Sequence, residues 1–452
     1  MLRPVCVLAA FGLISGAARA DAPKPSPAPR LAPAAPRAPA PRGLGRLSAS
    51  QRTAALAAIK TAFQNSYVFP EMRPKLVERL DQRERAGRYN VEDPLVFAER
   101  VTEDLKEVSH DGHLSLTVNP DGYAAALAPP KSDAGEAAAQ RRAALRDHHG
   151  LAELRRLPGN VRSLKITGFE WVNDETGLAY DGAMRFLKDG DAVIIDLRGN
   201  GGGWHEAVLY LVSHFLDPDV LEETFLDGAE TSQARTLSHL PAGRLKGKPL
   251  YVLIDRYVAS AGEAFAYDVQ QFKLGELVGA RTAGAANNNR LLPIAPGFLL
   301  SVSFGRPVHP ISKTNWEGVG VAPTVEATPA QAFDVAYALA LARLAQTKGA
   351  PASVLADYAW ARVAAEARVH PPVLSGDRMA AFAGHYGDHE IAYRESALWM
   401  TRGKRPPARL EPLSSEGLFG VEGFGILRVR LTGKTLELLW ADEPAPRVFA
   451  RT

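Results

Sequence analysis

A serine stands where an apolar run meets a helical pattern, in Ser260-Ala-Gly-Glu263. The preceding Tyr251–Ile254 run predicts a buried strand, and the apolar spacing that follows predicts a helix. A hydroxyl at such a turn lies beside the unpaired N–H groups of the new helix, where a developing oxyanion is stabilised. Ser-x-x-Glu is also a capping box, which only begins a helix. This stretch alone therefore leaves nucleophile and cap as alternatives.

A glycine-rich loop, Asp196-Leu-Arg-Gly-Asn-Gly-Gly-Gly203, ends a second apolar run. Trp204 occupies the third glycine position of a dinucleotide-binding loop, and no Lys-Ser/Thr pair follows, so neither a dinucleotide loop nor a P-loop is predicted. Glycines allow the backbone to turn sharply and to direct N–H groups outward. The loop is either an oxyanion-binding loop or a tight turn without a ligand.

His113 and Glu317 are the remaining candidate catalytic residues. His113 follows Asp111-Gly at the start of an alternating run that predicts a strand, and Glu317 lies near a glycine-rich turn. Taken singly, a histidine is usually structural or exposed, and a loop carboxylate is usually solvated. His110 and His113 lack an evident third ligand, so the sequence predicts no metal and no cofactor.

Together, and in this order, these motifs resemble the tail-specific (C-terminal processing) protease family. Within that family the chain is more similar to the branch of tricorn protease and interphotoreceptor retinoid-binding protein. The resemblance covers about 47–327, and 380–452 resembles a small β domain often attached to such bacterial proteins. The supporting motifs are Asp111-Gly-His113, Arg156-Leu-Pro-Gly-Asn160, Phe265-Ala-Tyr267, Val278-Gly-Ala-Arg-Thr-Ala-Gly284 and Gly318-Val-Gly-Val-Ala-Pro323.

The resemblance implies an α/β core related to the crotonase and Clp-protease spiral, with a serine nucleophile at Ser260. It also implies that the N–H groups of Ala261 and of a glycine in 201–203, taken as Gly202, bind the oxyanion. A serine hydroxyl needs an adjacent base at neutral pH. Ala285 stands where the processing-protease branch has its lysine, 25 residues after the serine, so a Ser-Lys dyad is not available.

The tricorn-like branch implies a different base. Its histidine falls on His113 and its glutamate on Glu317, and the glutamate would fix the tautomer of the imidazole. Tricorn carries a serine beside its histidine, whereas Gly112 stands here, so the fourth member of that tetrad is unassigned. No clear peptide-binding PDZ segment is found between 119 and 190.

The elements that position these residues follow from composition and periodicity. Residues 1–20 have the positive, apolar and Ala-x-Ala regions of a secretory signal, and the only cysteine, Cys6, lies within it. Strands alternating with helices predict an α/β core, and short alternating runs near the C-terminus predict a β domain. The predicted units are a signal peptide 1–20, a Pro/Ala-rich linker 21–46, an N-terminal helical domain 47–118, a peptidase core 119–327, a helical connector 328–372 and a C-terminal β domain 373–452.

Charge and hydropathy limit the partners. The formal net charge of the 452-residue chain is +3, and its excess lies in residues 1–46, so nucleic-acid binding is not predicted. No segment is long and apolar enough to predict a membrane span. The signal predicts secretion across the inner membrane to a bacterial periplasm, free or associated with the envelope. Oligomeric state is left open.

The sequence therefore predicts a secreted serine endopeptidase that acts on a peptide or protein substrate. Two alternatives remain at this stage. One is a non-catalytic ligand- or peptide-binding protein on the same fold, as the retinoid-binding relative illustrates. The other is an esterase that uses the same serine.

Overall fold

The computed structural model describes residues 44–128, 133–227 and 230–452. The predicted signal peptide 1–20 and linker residues 21–43 lie outside the described residues. Within the described ranges, no helix has both the length and the apolar character needed to cross a membrane.

Helices and strands alternate through the middle of the chain and separate at its ends. The helices are α1 Ala49–Ser66, α2 Arg73–Arg85, α3 Pro94–Ser109, α4 Pro120–Leu127, α5 Asp133–Arg146, α6 Asn173–Lys188, α7 His205–Ser213, α8 Ala261–Gln271, α9 Ala332–Leu344, α10 Ala352–Val369 and α11 Gly376–Ala381. The strands up to residue 326 are β1 Ser115–Val118, β2 Leu151–Leu157, β3 Val161–Ile166, β4 Ala192–Asp196, β5 Leu221–Asp227, β6 Glu230–Arg235, β7 Leu250–Ile254, β8 Glu276–Gly279, β9 Asn288–Ile294, β10 Phe298–Val308 and β11 Val325–Glu326. The later strands are β12 Gly384–Tyr386, β13 His389–Arg394, β14 Ala397–Arg402, β15 Ala408–Pro412, β16 Leu418–Val421, β17 Phe424–Leu431, β18 Thr435–Trp440 and β19 Arg447–Ala450.

A six-stranded sheet forms the centre, in the order β11-β8-β7-β4-β3-β2. Neighbouring strands are parallel from β3 to β11, and β2 joins the edge antiparallel to β3. One face packs on α6, α7 and α8, and the other on α9 and α10. Because both faces are covered, β4 and β7 are buried along their whole length, as parallel strands usually are. The predicted α/β core is confirmed.

A second sheet is antiparallel, with the order β1-β10-β5-β6 and β9 paired to β10. The predicted N-terminal helices are present, and α1 to α3 pack on this sheet in one shared hydrophobic core. Phe97 of α3 and Phe298 of β10, for example, have ring centroids 5.6 Å apart. The helices therefore bury their apolar face against strands that come about 200 residues later in the chain.

The C-terminal β domain contains eight antiparallel strands, each paired with its neighbour in sequence from β12 to β19. A bridge between Tyr386 and Arg451 brings the end of the chain back to the first strand. Arg428 contacts α10, where its guanidinium stacks 3.8 Å from the Trp360 ring centroid and donates to the Trp360 carbonyl. Trp360 Nε1 in turn donates to the Gly425 carbonyl at 2.9 Å.

A buried carboxylate holds α3 in place. Asp104 is 1% exposed and accepts from Arg79 (3.2 Å), Arg83 (3.0 Å), Arg88 (2.8 Å) and the Tyr89 hydroxyl (2.9 Å). Burial by itself raises the pKa of Asp104, but the Tyr89 hydroxyl and the Arg88 guanidinium outweigh it and the pKa is lowered. Asp104 is therefore ionised at neutral pH and anchors α2 to α3.

This anchor matters for the site because α3 delivers the candidate base. The helix ends at His110, whose φ of 55° is left-handed, and Asp111-Gly-His113 follows directly. His113 then leads into β1, which pairs with β10. Helix and sheet thus fix the two sides of this turn.

We expect Asp104→Asn to lower the free energy of unfolding at neutral pH by about 2–3 kcal/mol, because it leaves three guanidinium groups without their buried partner. Because the arginines are partly exposed, the loss of stability is smaller than for a fully buried ion pair. Since the folded pKa of Asp104 is lowered, its contribution is present above the unfolded pKa and is lost as pH falls through the folded pKa. Urea denaturation of parent and variant should therefore differ at neutral pH and converge in acid. The matched control is Glu103→Gln, which removes an exposed partner of Arg88 and should cost under about 1 kcal/mol. Equal losses in the two variants would contradict the anchoring role.

Candidate active site

Ser260 occupies the turn between β7 and α8 in a strained conformation. Its φ of 51° and ψ of −121° are rare for a residue other than glycine. The backbone N–H of Ser260 donates to the Ala285 carbonyl at 3.1 Å and to Glu263 Oε2 at 3.1 Å. Ser260 and Glu263 form a capping box, in which the Ser260 side chain faces the Glu263 N–H and the Glu263 side chain accepts from the Ser260 N–H. The Ser260 side chain therefore caps α8 and is also the candidate nucleophile.

Glu263 ties the serine turn to the segment 282–285. Besides the Ser260 N–H, its wholly buried carboxylate accepts from the Thr282 hydroxyl (2.5 Å) and from the backbone N–H groups of Gly284 (2.6 Å) and Ala285 (2.8 Å). Burial raises the pKa of Glu263, while the four donors oppose that rise. Sequence reasoning assigned Glu263 only to a helix cap, because its other partners lie about 20 residues later.

The glycine loop lies against the serine, as the sequence predicts. A Cβ placed on Gly202 would be 2.7 Å from Ser260 Cβ and 3.1 Å from the Ala261 nitrogen, so only glycine fits at this position, which has φ of 108°. The Gly202 N–H, however, already donates to Asn200 Oδ1 at 2.8 Å. Gly202 thus allows the loop to lie close to Ser260, and the Gly202 amide stabilises the loop through Asn200.

Two other amides near the serine make no hydrogen bond within the described part of the chain, those of Gly203 and Ala261. On either side of the Gly203 amide, the chain pairs with Phe169. The Phe169 N–H donates to the Gly202 carbonyl at 2.9 Å, and the Trp204 N–H donates to the Phe169 carbonyl at 2.7 Å. The Ala261 amide is the first of α8, where helical N–H groups have no partner of their own.

His113 is paired with carboxylates through one ring nitrogen. Its Nδ1 lies 3.4 Å from Glu317 Oε2 and 3.8 Å from Asp111 Oδ1, which are ion-pair distances rather than well-aligned hydrogen bonds. The backbone N–H of His113 donates to Asp111 Oδ1 at 2.9 Å and fixes the turn. With Nδ1 directed at carboxylates, Nε2 is the nitrogen left to accept a proton.

Three backbone N–H groups hold Glu317. Gly112 donates to Oε1 at 2.8 Å, and Ala286 and Asn287 donate to Oε2 at 2.7 and 2.8 Å. Burial by itself raises the pKa of Glu317, but His113 and these backbone donors outweigh it and the pKa is lowered. Burial by itself lowers the pKa of His113, and Glu317 together with Asp111 outweighs it, so the pKa of His113 is raised.

Asp111 is a further buried carboxylate at this site. It accepts from the Tyr67 hydroxyl at 3.2 Å and from Asn287 Nδ2 at 3.4 Å. Burial, and then the charge of Glu317, raise its pKa. One ligand atom each from Asp111, His113 and Glu317 lie within 4.8 Å of one another, a spacing that a cation could use. Three backbone donors already bind Glu317, however, so the arrangement fits a carboxylate that orients the histidine better than a metal ligand.

The segment 284–287 links the Ser260 turn to Glu317 and, through Glu317, to His113. Ala285 bonds the Ser260 turn, whereas Ala286 and Asn287 bond Glu317, which in turn contacts His113. No hydrogen bond between the Ser260 hydroxyl and the His113 ring occurs in the described structure. Catalytic hydrogen bonds are often long without substrate and shorten in the complex. The alanine at position 285 provides no base.

Residues 160–327 match the sequence model of Peptidase family S41. This segment is a family S41 peptidase domain. The chain is 25% identical over 158 residues to the carboxy-terminal processing protease CtpB of Bacillus subtilis (strain 168), a match that covers 34% of this chain and 32% of CtpB. It is 29% identical over 96 residues to tricorn protease of Thermoplasma volcanium, covering 21% of this chain and 8% of that protein. The chain thus spans about a third of CtpB and a small part of tricorn.

Among solved structures, the photosystem II D1 C-terminal processing protease is similar to this chain with a TM-score of 0.43 and 15% sequence identity. That alignment covers 62% of this chain and 94% of the protease.

We expect Glu317→Gln to lower the pKa of His113, because the variant removes the nearest negative charge from Nδ1. The measurement is an NMR titration of the His113 ring, assigned with a His113→Ala sample. Glu326→Gln is the matched control, since it neutralises an exposed carboxylate a few residues away and should leave the titration unchanged. An unaltered pKa in Glu317→Gln would show that the carboxylate does not act on this imidazole.

Proposed function

We propose that this protein is a serine peptidase that hydrolyses peptide bonds through an acyl-enzyme on Ser260. The observation that carries the proposal is a buried His113 Nδ1 that lies 3.4 Å from Glu317 Oε2, in a carboxylate network that segment 284–287 links to the strained Ser260 turn. A peptidase family S41 domain covers the Ser260 and Glu317 segments, whereas His113 precedes it.

In the proposed reaction, His113 Nε2 removes the proton from the Ser260 hydroxyl as the oxygen attacks the peptide carbonyl. The carbonyl oxygen becomes an oxyanion, stabilised by the amides of Ala261 and Gly203. The C–N bond then breaks, and the imidazolium gives its proton to the leaving amine. Water repeats the sequence on the ester, releasing the acid and restoring the serine.

The carboxylates support the base without exchanging the proton. Glu317 keeps Nδ1 protonated, so the lone pair stays on Nε2, and it stabilises the imidazolium that forms. Gly202 remains part of the oxyanion loop, because its lack of a side chain allows the loop to lie against Ser260. Because its amide is bound to Asn200, we assign the second oxyanion donor to the neighbouring Gly203.

The proposed histidine–glutamate base favours the tricorn-like branch of the family over the serine–lysine branch. Ala285 at the lysine position supports this assignment. The Ala-x-Ala sequence at Ala18–Ala20 supports secretion, and we propose a periplasmic or envelope-associated peptidase whose substrate is a peptide or protein.

A fluorophosphonate probe should label the parent protein, because the reagent forms a stable ester only with an activated serine. Labelling should be absent from Ser260→Ala, and mass spectrometry of the labelled peptide should find the adduct on Ser260. A parent protein that stays unlabelled while folded would favour the non-catalytic binding alternative. For a labelled protein, hydrolysis of a peptide library compared with small esters separates a peptidase from an esterase.

We expect His113→Ala to lower kcat by about 10⁴-fold or more and Glu317→Gln by a smaller factor, since the glutamate acts only through the imidazole. The control is His110→Asn, an exposed histidine in the same turn whose left-handed φ asparagine tolerates. It should keep parental activity. Circular dichroism confirms folding of each variant. Full turnover by His113→Ala would remove His113 from the mechanism.

A further inference from the structure

A second cluster of buried carboxylates lies between β5 and α8. Glu222, Glu223 and Asp268 are each at most 1% exposed. One oxygen from each lies within 4.8 Å of the others. The proposed hydrolytic reaction uses none of them.

A β-bulge brings the two glutamates together. The pairing of β5 with β6 shifts register between Leu221 and Glu223. Successive strand residues normally face opposite sides, but at a bulge two consecutive side chains can share one side, and here both glutamates are buried. Asp268 comes from α8, eight residues after Ser260. The bulge and α8 thus place three carboxyl groups close together in a buried site, which is unfavourable if they are charged and have no partner.

The cluster lacks cationic side chains. Among the described residues, neither lysine nor arginine forms an ion pair with any of the three carboxylates. Glu222 Oε1, Glu223 Oε1 and both oxygens of Asp268 also have no hydrogen-bond partner there. An unpaired buried carboxylate is strongly unfavourable, so these oxygens need either protons or a bound cation.

Two imidazoles point at the cluster from outside. His205 Nε2 lies 3.0 Å from Glu222 Oε2. His309, which is wholly buried, places an unpartnered Nε2 3.5 Å from Asp268 Oδ1. The Ile311 N–H donates to His309 Nδ1 at 3.2 Å, so Nδ1 carries the lone pair and the ring proton is on Nε2. The His309 Nε2–H group is therefore directed at the Asp268 carboxyl group.

We propose that Glu222, Glu223 and Asp268 bind one divalent cation of the oxygen-preferring class, Ca²⁺ or Mn²⁺. Three carboxylate oxygens at this spacing suit such hard cations, with ligand distances of about 2.1–2.6 Å. His205 would orient Glu222 through its 3.0 Å contact, and His309 faces Asp268 at 3.5 Å; imidazoles commonly support ligating carboxylates in this way. The tautomer of His309 excludes its Nε2 as a ligand.

The cation would join the two halves of the proposed active site. α8 begins at Ser260, whereas β5 pairs with β10, and β10 pairs with the β1 strand that follows His113. A cation bound by both β5 and α8 would therefore hold the helix that follows Ser260 against the sheet that contains β1, the strand after His113. The role is structural, so it is measurable without any assay of hydrolysis.

The experiment unfolds the chain in denaturant with EDTA and refolds it with EDTA, Ca²⁺, Mn²⁺ or Mg²⁺. Thermal unfolding and elemental analysis after gel filtration are then measured. We expect Ca²⁺ or Mn²⁺ to raise the Tm by several degrees over EDTA and to be retained at about one ion per chain. Glu223→Gln and Asp268→Asn should lose both effects, and Glu230→Gln, an exposed carboxylate on β6, should keep them.

Equal Tm values in EDTA and in every cation, with no ion retained by the parent protein, would overturn the proposal. So would a Glu223→Gln variant that is more stable than the parent in EDTA and in cation alike, since that result means the carboxylates share protons instead. Because the parent is compared with itself, the test holds even where a variant fails to fold. Fluorophosphonate labelling of Ser260 reports separately on the proposed hydrolysis.

Discussion

The Glu317 carboxylate is the interaction on which the candidate active site depends. It accepts N–H groups from the turn before β1 and from the segment before β9, and its charge faces His113. A buried carboxylate is stable only with such partners, so the group that orients the base also holds the surrounding loops. Removing the carboxylate would disturb both the proposed catalysis and the packing of the loops. Glu317→Gln, which keeps the size and shape of the side chain, is therefore the informative substitution.

Glu263 has the equivalent function on the nucleophile side. Its four donors bind the start of α8 to the segment 282–285, and Glu317 binds the next two residues. One short segment is therefore held from both ends by buried carboxylates. The strained backbone of Ser260 persists because these contacts outweigh the cost of its conformation, of order 1–3 kcal/mol. The Ala261 amide, which has no hydrogen-bond partner among the described residues, follows directly after this strained residue.

Much of the fold was predictable because its signals are local. The apolar runs of β3, β4 and β7 and the helical spacing of α6 and α8 follow from periods of two and 3.6 residues, and alternating strands and helices indicate an α/β core. The C-terminal β domain is likewise visible in its turns and alternation. The packing of α1 to α3 on β9 and β10 was not predictable, because apolar periodicity identifies a buried face without identifying its partner.

The sequence by itself determined which residue types stand at the serine turn, the glycine loop and positions 113 and 317, and its resemblance to a protease family suggested their roles. Only the tertiary structure decided that Glu317 faces His113 Nδ1, that the Gly202 amide is already bound to Asn200, and that Glu263 is more than a cap. It also decided that Glu222, Glu223 and Asp268 meet. The physical reason is that hydrogen bonding and desolvation depend on distances between segments up to 205 residues apart, which no local pattern encodes.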